Sequence, residues 1–186
     1  MGADRMMIVP YMLFDGVPSM KDSELMELYE CMVWEGTAET VFYDGGVKSK
    51  YDFLSFIKGP GVHFHKVLDD DGELAGVFWL TDIEHKSAVG HFCFFSSVWG
   101  DSQEYFREIM KRLLLAEDAD GEYMFHVLIG VTPEWLTSAL KMIRKAGMIE
   151  CGRIPYRVYK AADDNYHAAV ISYFTREELY SEGRVE

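Results

Sequence analysis

The sequence predicts a mixed α/β fold of the α+β kind, in the element order β-α-α-β-β-β-α-β-α-β-β. Three observations carry that reading. Residues 62–95 hold three strand-like runs parted by polar turns, the pattern of an antiparallel meander. From residue 101 the apolar spacing changes to that of amphipathic helices alternating with strands. No repeat, low-complexity tract or linker interrupts the 186 residues, so residues 1–186 are expected to form a single domain. With 49% hydrophobic and 15% aromatic residues, the composition is that of a globular protein and excludes disorder, collagen and coiled coil.

Residues 7–14 read as a first strand. Asp22 or Ser23 then caps a helix whose apolar face, Leu25, Leu28 and Met32, runs to Trp34. Gly36 and Gly45-Gly46 break the chain, and residues 51–57 form a second, short helix ended by Gly59-Pro60-Gly61. Residues 62–68, 73–82 and 88–95 are the meander strands. Phe106, Ile109, Met110, Leu113 and Leu114 share one helical face, with Asp101 or Ser102 as the cap. Residues 122–131 read as a buried strand. Thr132-Pro133 reads as a helix start and Gly147 as its end. Residues 148–159 and 166–174 are the last two strands. The charged tail from about residue 176 to 186 is expected to fray, after one turn at residues 177–180.

The chain carries 18 basic and 31 acidic residues, a formal net charge of −13. Such a field repels phosphate backbones and anionic lipid heads, so neither nucleic acid nor membrane is expected as a partner. Cys31, Cys93 and Cys151 are odd in number and far apart, which argues against a disulfide framework and for a reducing, cytoplasmic setting. No apolar run approaches the ~18 residues of a membrane span.

Local sequence adds a resemblance. His91-Phe92-Cys93-Phe94-Phe95, then Trp99-Gly100, then the helix through Leu114, resembles the pyrophosphate-binding unit of the GNAT superfamily of acyl-CoA N-acyltransferases. The run from Val127 through Thr132, Pro133-Glu134 and Lys145-Ala146-Gly147-Met148 is similar to the strand and helix that follow, and Gly152-Arg153-Ile154-Pro155 also fits. The His-Phe strand before Trp-Gly is similar to divergent members carried by phages and prophages. The resemblance spans nearly the whole chain and is carried mainly by residues 75–155. It implies a GNAT-like mixed sheet, in keeping with the element order, which itself predicts an antiparallel first part and then a parallel crossover from the strand at Ala88 to the strand at Glu122. It also implies acetyl-CoA as co-substrate, a small amine or a protein amine as acceptor, and a homodimer paired through the last strands.

In that family a strand and its neighbour splay apart around the cofactor. Strand main-chain groups pair with the pantetheine arm, and free amides at a helix N-terminus face the pyrophosphate. The corresponding positions here are Phe94, Phe95, Trp99, Gly100, Asp101, Ser102, Gln103 and Glu104. The family signature Gln/Arg-x-x-Gly-x-Gly/Ala is altered: Trp99 replaces the first residue, Ser102 the first glycine and Glu104 the small residue. Asp101 and Glu104 place like charge beside an anionic ligand, yet acids in a first turn also stabilise the helix itself. The family's helix Asn and thiolate-protonating Tyr fall on Trp135 or Leu136 and on Ile143.

For acyl transfer a base near the central strand is wanted. His91 lies on that strand and Glu84 precedes it, so both are candidates. His63 and His65 form an H-x-H that nothing nearby completes, so no metal is expected. Cys93 has no evident activating partner. His126 and His167 read as structural. Trp34, Phe42, Tyr43 and Trp79 either line a pocket or fill an aromatic core. Two functions stay open: a GNAT-like N-acetyltransferase, and a non-catalytic GNAT-like interaction module, phage-derived, with a degenerate CoA site.

Overall fold

The computed structural model describes residues 6–181. In chain order the elements are β1 (Met7–Pro10), β2 (Leu13–Phe14), β3 (Val17–Pro18), α1 (Asp22–Trp34), α2 (Ala38–Val41) and α3 (Lys50–Ile57). The meander follows as β4 (His63–Leu68), β5 (Leu74–Glu84) and β6 (Ser87–Phe94). A 3-10 turn at Ser96–Val98 leads to α4 (Ser102–Leu115), β7 (Val127–Pro133), α5 (Thr137–Lys145), β8 (Ile149–Lys160), β9 (Asn165–Thr175) and α6 (Arg176–Ser181). Seven strands form one sheet in the order β1-β4-β5-β6-β7-β9-β8, and β2 pairs with β3 apart from it. All pairings in the large sheet are antiparallel except β6 with β7. This is the expected mixed sheet with its parallel crossover through α4.

Strand alternation divides the core. Along β5, Val77 and Trp79 face α1–α3 and pack with Leu25, Met32, Phe53 and Phe64. Phe78 and Leu80 face the other way and pack with Phe106, Ile109, Leu128 and Ile143 from α4, β7 and α5. Each face covers a sheet side that would otherwise expose apolar area, at about 25 cal/mol per Å².

Several expected boundaries move for local reasons. Pro10 ends β1, and Asp15 (φ 51) with Gly16 (φ 83) turns the rest of the expected first strand into the β2–β3 hairpin. Neither Asp22 nor Ser23 caps α1: Lys21 holds the cap position without a side-chain bond. The short α2 was not expected. β7 starts at Val127, not residue 122, because Tyr123 bridges back to Glu117. Thr132-Pro133 does not start a helix: β7 stays paired with β9 through Pro133↔Ala169, and α5 begins at Thr137. Gly147 (φ 95) closes α5 as expected. The turn expected at residues 177–180 is present as α6, over residues 176–181, while the expected fraying of residues 182–186 lies outside the described residues.

Candidate active site

β6 and β7 are paired at Ser87↔Val127, Ala88↔Leu128 and Val89↔Ile129, and no further. Beyond that point each strand follows its outer neighbour. β6 stays on β5 to Gly76↔Phe94, and β7 stays on β9 to Pro133↔Ala169. Gly90 and Gly130 stand immediately past the last pair. A Cβ on Gly130 would lie 2.8 Å from Ser172 Oγ, so its bareness lets β7 close on β9 there. The result is a wedge between two parallel strands.

The hydrogen-bond ladder shows which main-chain groups face the wedge. Phe95 N–H donates to Ala75 O across to β5, and Val127 N–H donates to Lys86 O from β7. By strand alternation, Gly90, Phe92 and Phe94 turn their amides and carbonyls toward the wedge, where β7 has already departed. One of these groups is taken: Trp99 Nε1–H donates to Phe94 O at 2.9 Å. At the start of α4, Asp101 O accepts from the amides of Glu104 and Tyr105, while the amides of Gly100, Ser102 and Gln103 have no acceptor among the described residues. Glu35, past the end of α1, anchors the turn between β6 and α4 by accepting from Ser96 N–H and Oγ–H at 2.9 and 2.8 Å.

A cavity of about 460 Å³ opens at the wedge. Phe42, Tyr43 and Asp44 line it from α2 and the following loop, with Phe56 from α3 and Trp79, Thr81 and Asp82 from β5. Gly90, His91 and Phe92 line it from β6, Val131–Pro133 from β7, and Leu136 and Ala139 from the α5 region. Phe42 and Trp79 belong to the core on the α1–α3 face, whereas Phe92 packs against the α4–α5 core. The cavity therefore passes through the sheet. At its rim Tyr43 meets Trp135 edge-on at 5.4 Å, and Ala161 N–H donates to Tyr43 O at 2.8 Å.

His91 lines this cavity from β6. Its ring stacks on Trp79 at 5.3 Å, and Trp79 stacks in turn on Phe42 at 5.7 Å. Its Nε2 lies 2.9 Å from Thr81 Oγ1, whose hydroxyl also reaches Asp82 Oδ2 at 3.4 Å. Burial pushes the His91 pKa below its usual 6.5, and the nearby Asp82 carboxylate opposes that shift. Asp82 owes its place to a register shift in β5 between Thr81 and Glu84, where its φ is 48. Such a bulge re-aims a side chain that strict alternation would send to the opposite face.

The other expected site residues are dispersed. Glu84 ends β5, paired with Ser87, with its side chain 82% exposed, 3.7 Å from His85, and does not line the cavity. Phe94 and Phe95 are buried at the end of β6, and Trp99, Gly100, Asp101, Ser102, Gln103 and Glu104 lead into α4 as expected. Asp101 holds the cap position of α4 without a side-chain cap bond. More carboxylates gather there: burial first, then Asp69, Asp70, Asp101 and Asp71, raise the pKa of Tyr105 in the first turn of α4. Ile143 is buried in the core. Burial drives the Cys93 thiol to about 11, which removes it as a nucleophile at neutral pH. Trp34 is 85% exposed and neither lines this cavity nor fills the core. His65 stacks on Phe78 at 4.4 Å, and no group of three metal-ligating side chains forms among the described residues. His167 is held by Asp163, and His126 meets Arg176.

The lining residues not expected include Thr81, Asp82 and, in the 40–44 segment, Thr40, Val41 and Asp44, whereas Phe42 and Tyr43 are among the expected pocket or core aromatics. The pair Tyr43-Asp44 before Gly45-Gly46 signals a loop, but only the folded chain brings that loop over the wedge.

No family model matches the chain, nor does any curated protein sequence. Solved structures do match. Spermidine N-acetyltransferase from Vibrio cholerae, determined with CoA and spermine, superposes with a TM-score of 0.70 at 10% identity, covering 94% of this chain and 97% of that one. An acetyl transferase of Salmonella typhimurium that modifies the N-terminal serine of a 50S ribosomal subunit protein gives 0.72 at 12% identity, covering 92% and 95%. A ribosomal-protein alanine acetyltransferase from Vibrio fischeri gives 0.65 at 8% identity, with 94% of each chain covered. The chain has the GNAT fold. At this identity the GNAT likeness fixes the architecture, the parting of β6 from β7 included, and the chemistry must be argued from the residues present.

Proposed function

We propose that the chain is a GNAT-type N-acetyltransferase that moves an acetyl group from acetyl-CoA to an amine, with His91 as general base. The observation that carries this reading is the cavity through the sheet at the wedge, with an imidazole on its wall. The wedge-facing amides and carbonyls of Gly90 and Phe92 suit a pantetheine arm. The unpaired amides of Gly100, Ser102 and Gln103 suit its pyrophosphate. Acetyl-CoA supplies an activated thioester carbonyl. His91 takes one proton from the acceptor ammonium, whose nitrogen then forms the C–N bond as the C–S bond breaks. The departing sulfur leaves as CoA thiol, so one proton is released overall. With the Thr81 hydroxyl proton directed at Asp82, His91 donates through Nε2–H and keeps its lone pair on Nδ1. Glu84 is exposed and absent from the cavity lining, so it has no part in this reading.

A second reading, the non-catalytic interaction module, draws support from one observation. Trp99 occupies the Phe94 carbonyl, and acids surround the start of α4. One experiment separates the two: calorimetry and thermal unfolding with acetyl-CoA, followed by mass spectrometry of an amine panel. Binding with a thermal upshift and an acetylated product supports the transferase; no heat and no shift at millimolar acetyl-CoA removes it. A cytoplasmic setting and a homodimer through the outer strand β8, whose residues 151–157 are exposed, belong to the same proposal.

A further inference from the structure

We infer that copies of this chain associate head to tail, with the β2–β3 hairpin of one seated in a shallow groove at the far end of α1 of the next. The inference is independent of the acetyl-transfer reading. The hairpin is an apolar knob: Met12, Leu13, Phe14 and Val17 are 44–67% exposed. A single exposed apolar side chain is ordinary on a protein surface, whereas four within six residues mark a contact site. The base of the knob is braced. Met12 N–H donates to Ser19 Oγ at 3.0 Å, Ser19 Oγ–H to Pro10 O at 2.7 Å and Ser19 N–H to Met12 O at 2.9 Å. The knob is thus set before it meets a partner, which lowers the ordering cost of association.

The groove, of about 480 Å³, has Tyr29, Val33 and Trp34 of α1 as its apolar wall, with Glu30, Lys48 and Lys50 around them. Both Val33 and Trp34 are exposed. The hairpin leads into the first turn of α1 while Val33 and Trp34 end that helix, and 13 helical residues span about 20 Å. A hairpin of two-residue strands cannot cover that distance, so the occupant of the groove comes from another molecule. Charge points to a second copy. Asp15 sits at the hairpin tip and Lys48 at the groove, and neither forms a salt bridge among the described residues. Two chains of net charge −13 repel each other over most of their surface, so an apolar groove edged by lysines is where a hairpin bearing a carboxylate can settle. Knob and groove are different patches of one chain, so the contact is heterologous and either closes into a ring or runs on as a filament.

Sedimentation velocity of the full chain, over a wide range of concentration, tests this. The unaltered chain should form larger species as concentration rises. Phe14→Asp spoils the knob and Trp34→Glu the groove, and each alone should weaken that growth at least about tenfold. Mixed in equal amounts, the two variants should pair, since Trp34→Glu brings an intact knob and Phe14→Asp an intact groove. A dimer through β8 would survive both substitutions and is thereby told apart. Asp15→Asn should weaken the assembly about threefold, as loss of a rim charge does. Both altered side chains are exposed, and unchanged thermal midpoints show the fold intact. Should either midpoint fall, Val17→Lys and Val33→Lys take the place of the pair. An unaltered chain that does not grow, a Trp34→Glu variant that assembles as the unaltered chain does, or mixed variants that stay apart overturns the proposal. So does flotation of the unaltered chain, but not of Phe14→Asp, with phosphatidylcholine vesicles in the absence of self-association, which assigns the knob to lipid.

Discussion

His91 is held from two sides, by the Trp79 ring beneath it and by Thr81 Oγ1 at 2.9 Å. That clamp fixes the imidazole, while burial lowers its pKa below 6.5. The sign follows directly. The neutral base is fully present at pH 7 and is lost as pH falls through the depressed value. Acetyl transfer, read as kcat/KM, should therefore be flat near neutrality and drop on an acid limb below 6.5. His91→Gln should lower it about 100-fold and abolish that limb, since a positioned base contributes roughly 10²–10⁴. Asp82→Asn should shift the limb to still lower pH, because Asp82 is the group that raises the His91 pKa. An unchanged limb in His91→Gln would place the base elsewhere. Trp99 gives a second test. Its indole N–H holds the Phe94 carbonyl that a pantetheine amide would seek. Trp99→Phe removes the donor and keeps the ring, so acetyl-CoA should bind about threefold to tenfold more tightly, a gain near that of one hydrogen bond. Calorimetry showing equal affinity would mean that Trp99 does not compete.

The elements were legible where one periodicity governs a segment. α4 shows its apolar face at Phe106, Ile109 and Met110, and the meander shows its polar turns, so both emerged close to their true bounds. Thr132-Pro133 misled because a helix-start dipeptide also ends a strand well, and pairing with β9 outweighed it. The wedge was legible only through the family resemblance. Nothing in the spacing of Gly90 and Gly130 states that β6 and β7 part after Val89↔Ile129. Asp82 was invisible for a similar reason, because a bulge reverses the face that alternation assigns. His91 lines the cavity because β6 carries it there, whereas Glu84, expected in the turn before that strand, ends β5 away from the cavity lining. The central pairing has its own test. A Cβ on Gly76 would lie 2.6 Å from Cys93 O and 3.1 Å from Phe94 Cα, backbone atoms that cannot yield. Gly76→Ala should therefore destabilise the fold by about 2–4 kcal/mol through overpacking between β5 and β6, read as a lower urea midpoint. A change within 0.5 kcal/mol, the range of surface substitutions, would show that β5 and β6 are not so close.

Over the whole molecule, the proposed co-substrate and the protein carry the same sign. The net charge is −13, and Asp69–Asp71, Asp101 and Glu104 lie around the α4 N-terminus that would receive the pyrophosphate. Unpaired amides attract that group at short range, whereas the carboxylates repel it at longer range. Salt separates the two. Raising ionic strength from about 0.01 M to 1 M shortens the Debye length from roughly 30 Å to 3 Å. The distant repulsion fades while direct amide contacts persist. Acetyl-CoA affinity should therefore rise with sodium chloride, opposite to a phosphate site built from lysine and arginine. Asp101→Asn combined with Glu104→Gln should tighten binding at low salt, each charge at 4 Å being worth about 1 kcal/mol in water, and should flatten the salt response. Isothermal titration across that range measures both slopes. Affinity that falls with salt in the unaltered chain would mean that cationic side chains dominate the contact, and that the acidic ring lies too far from the bound phosphates to matter.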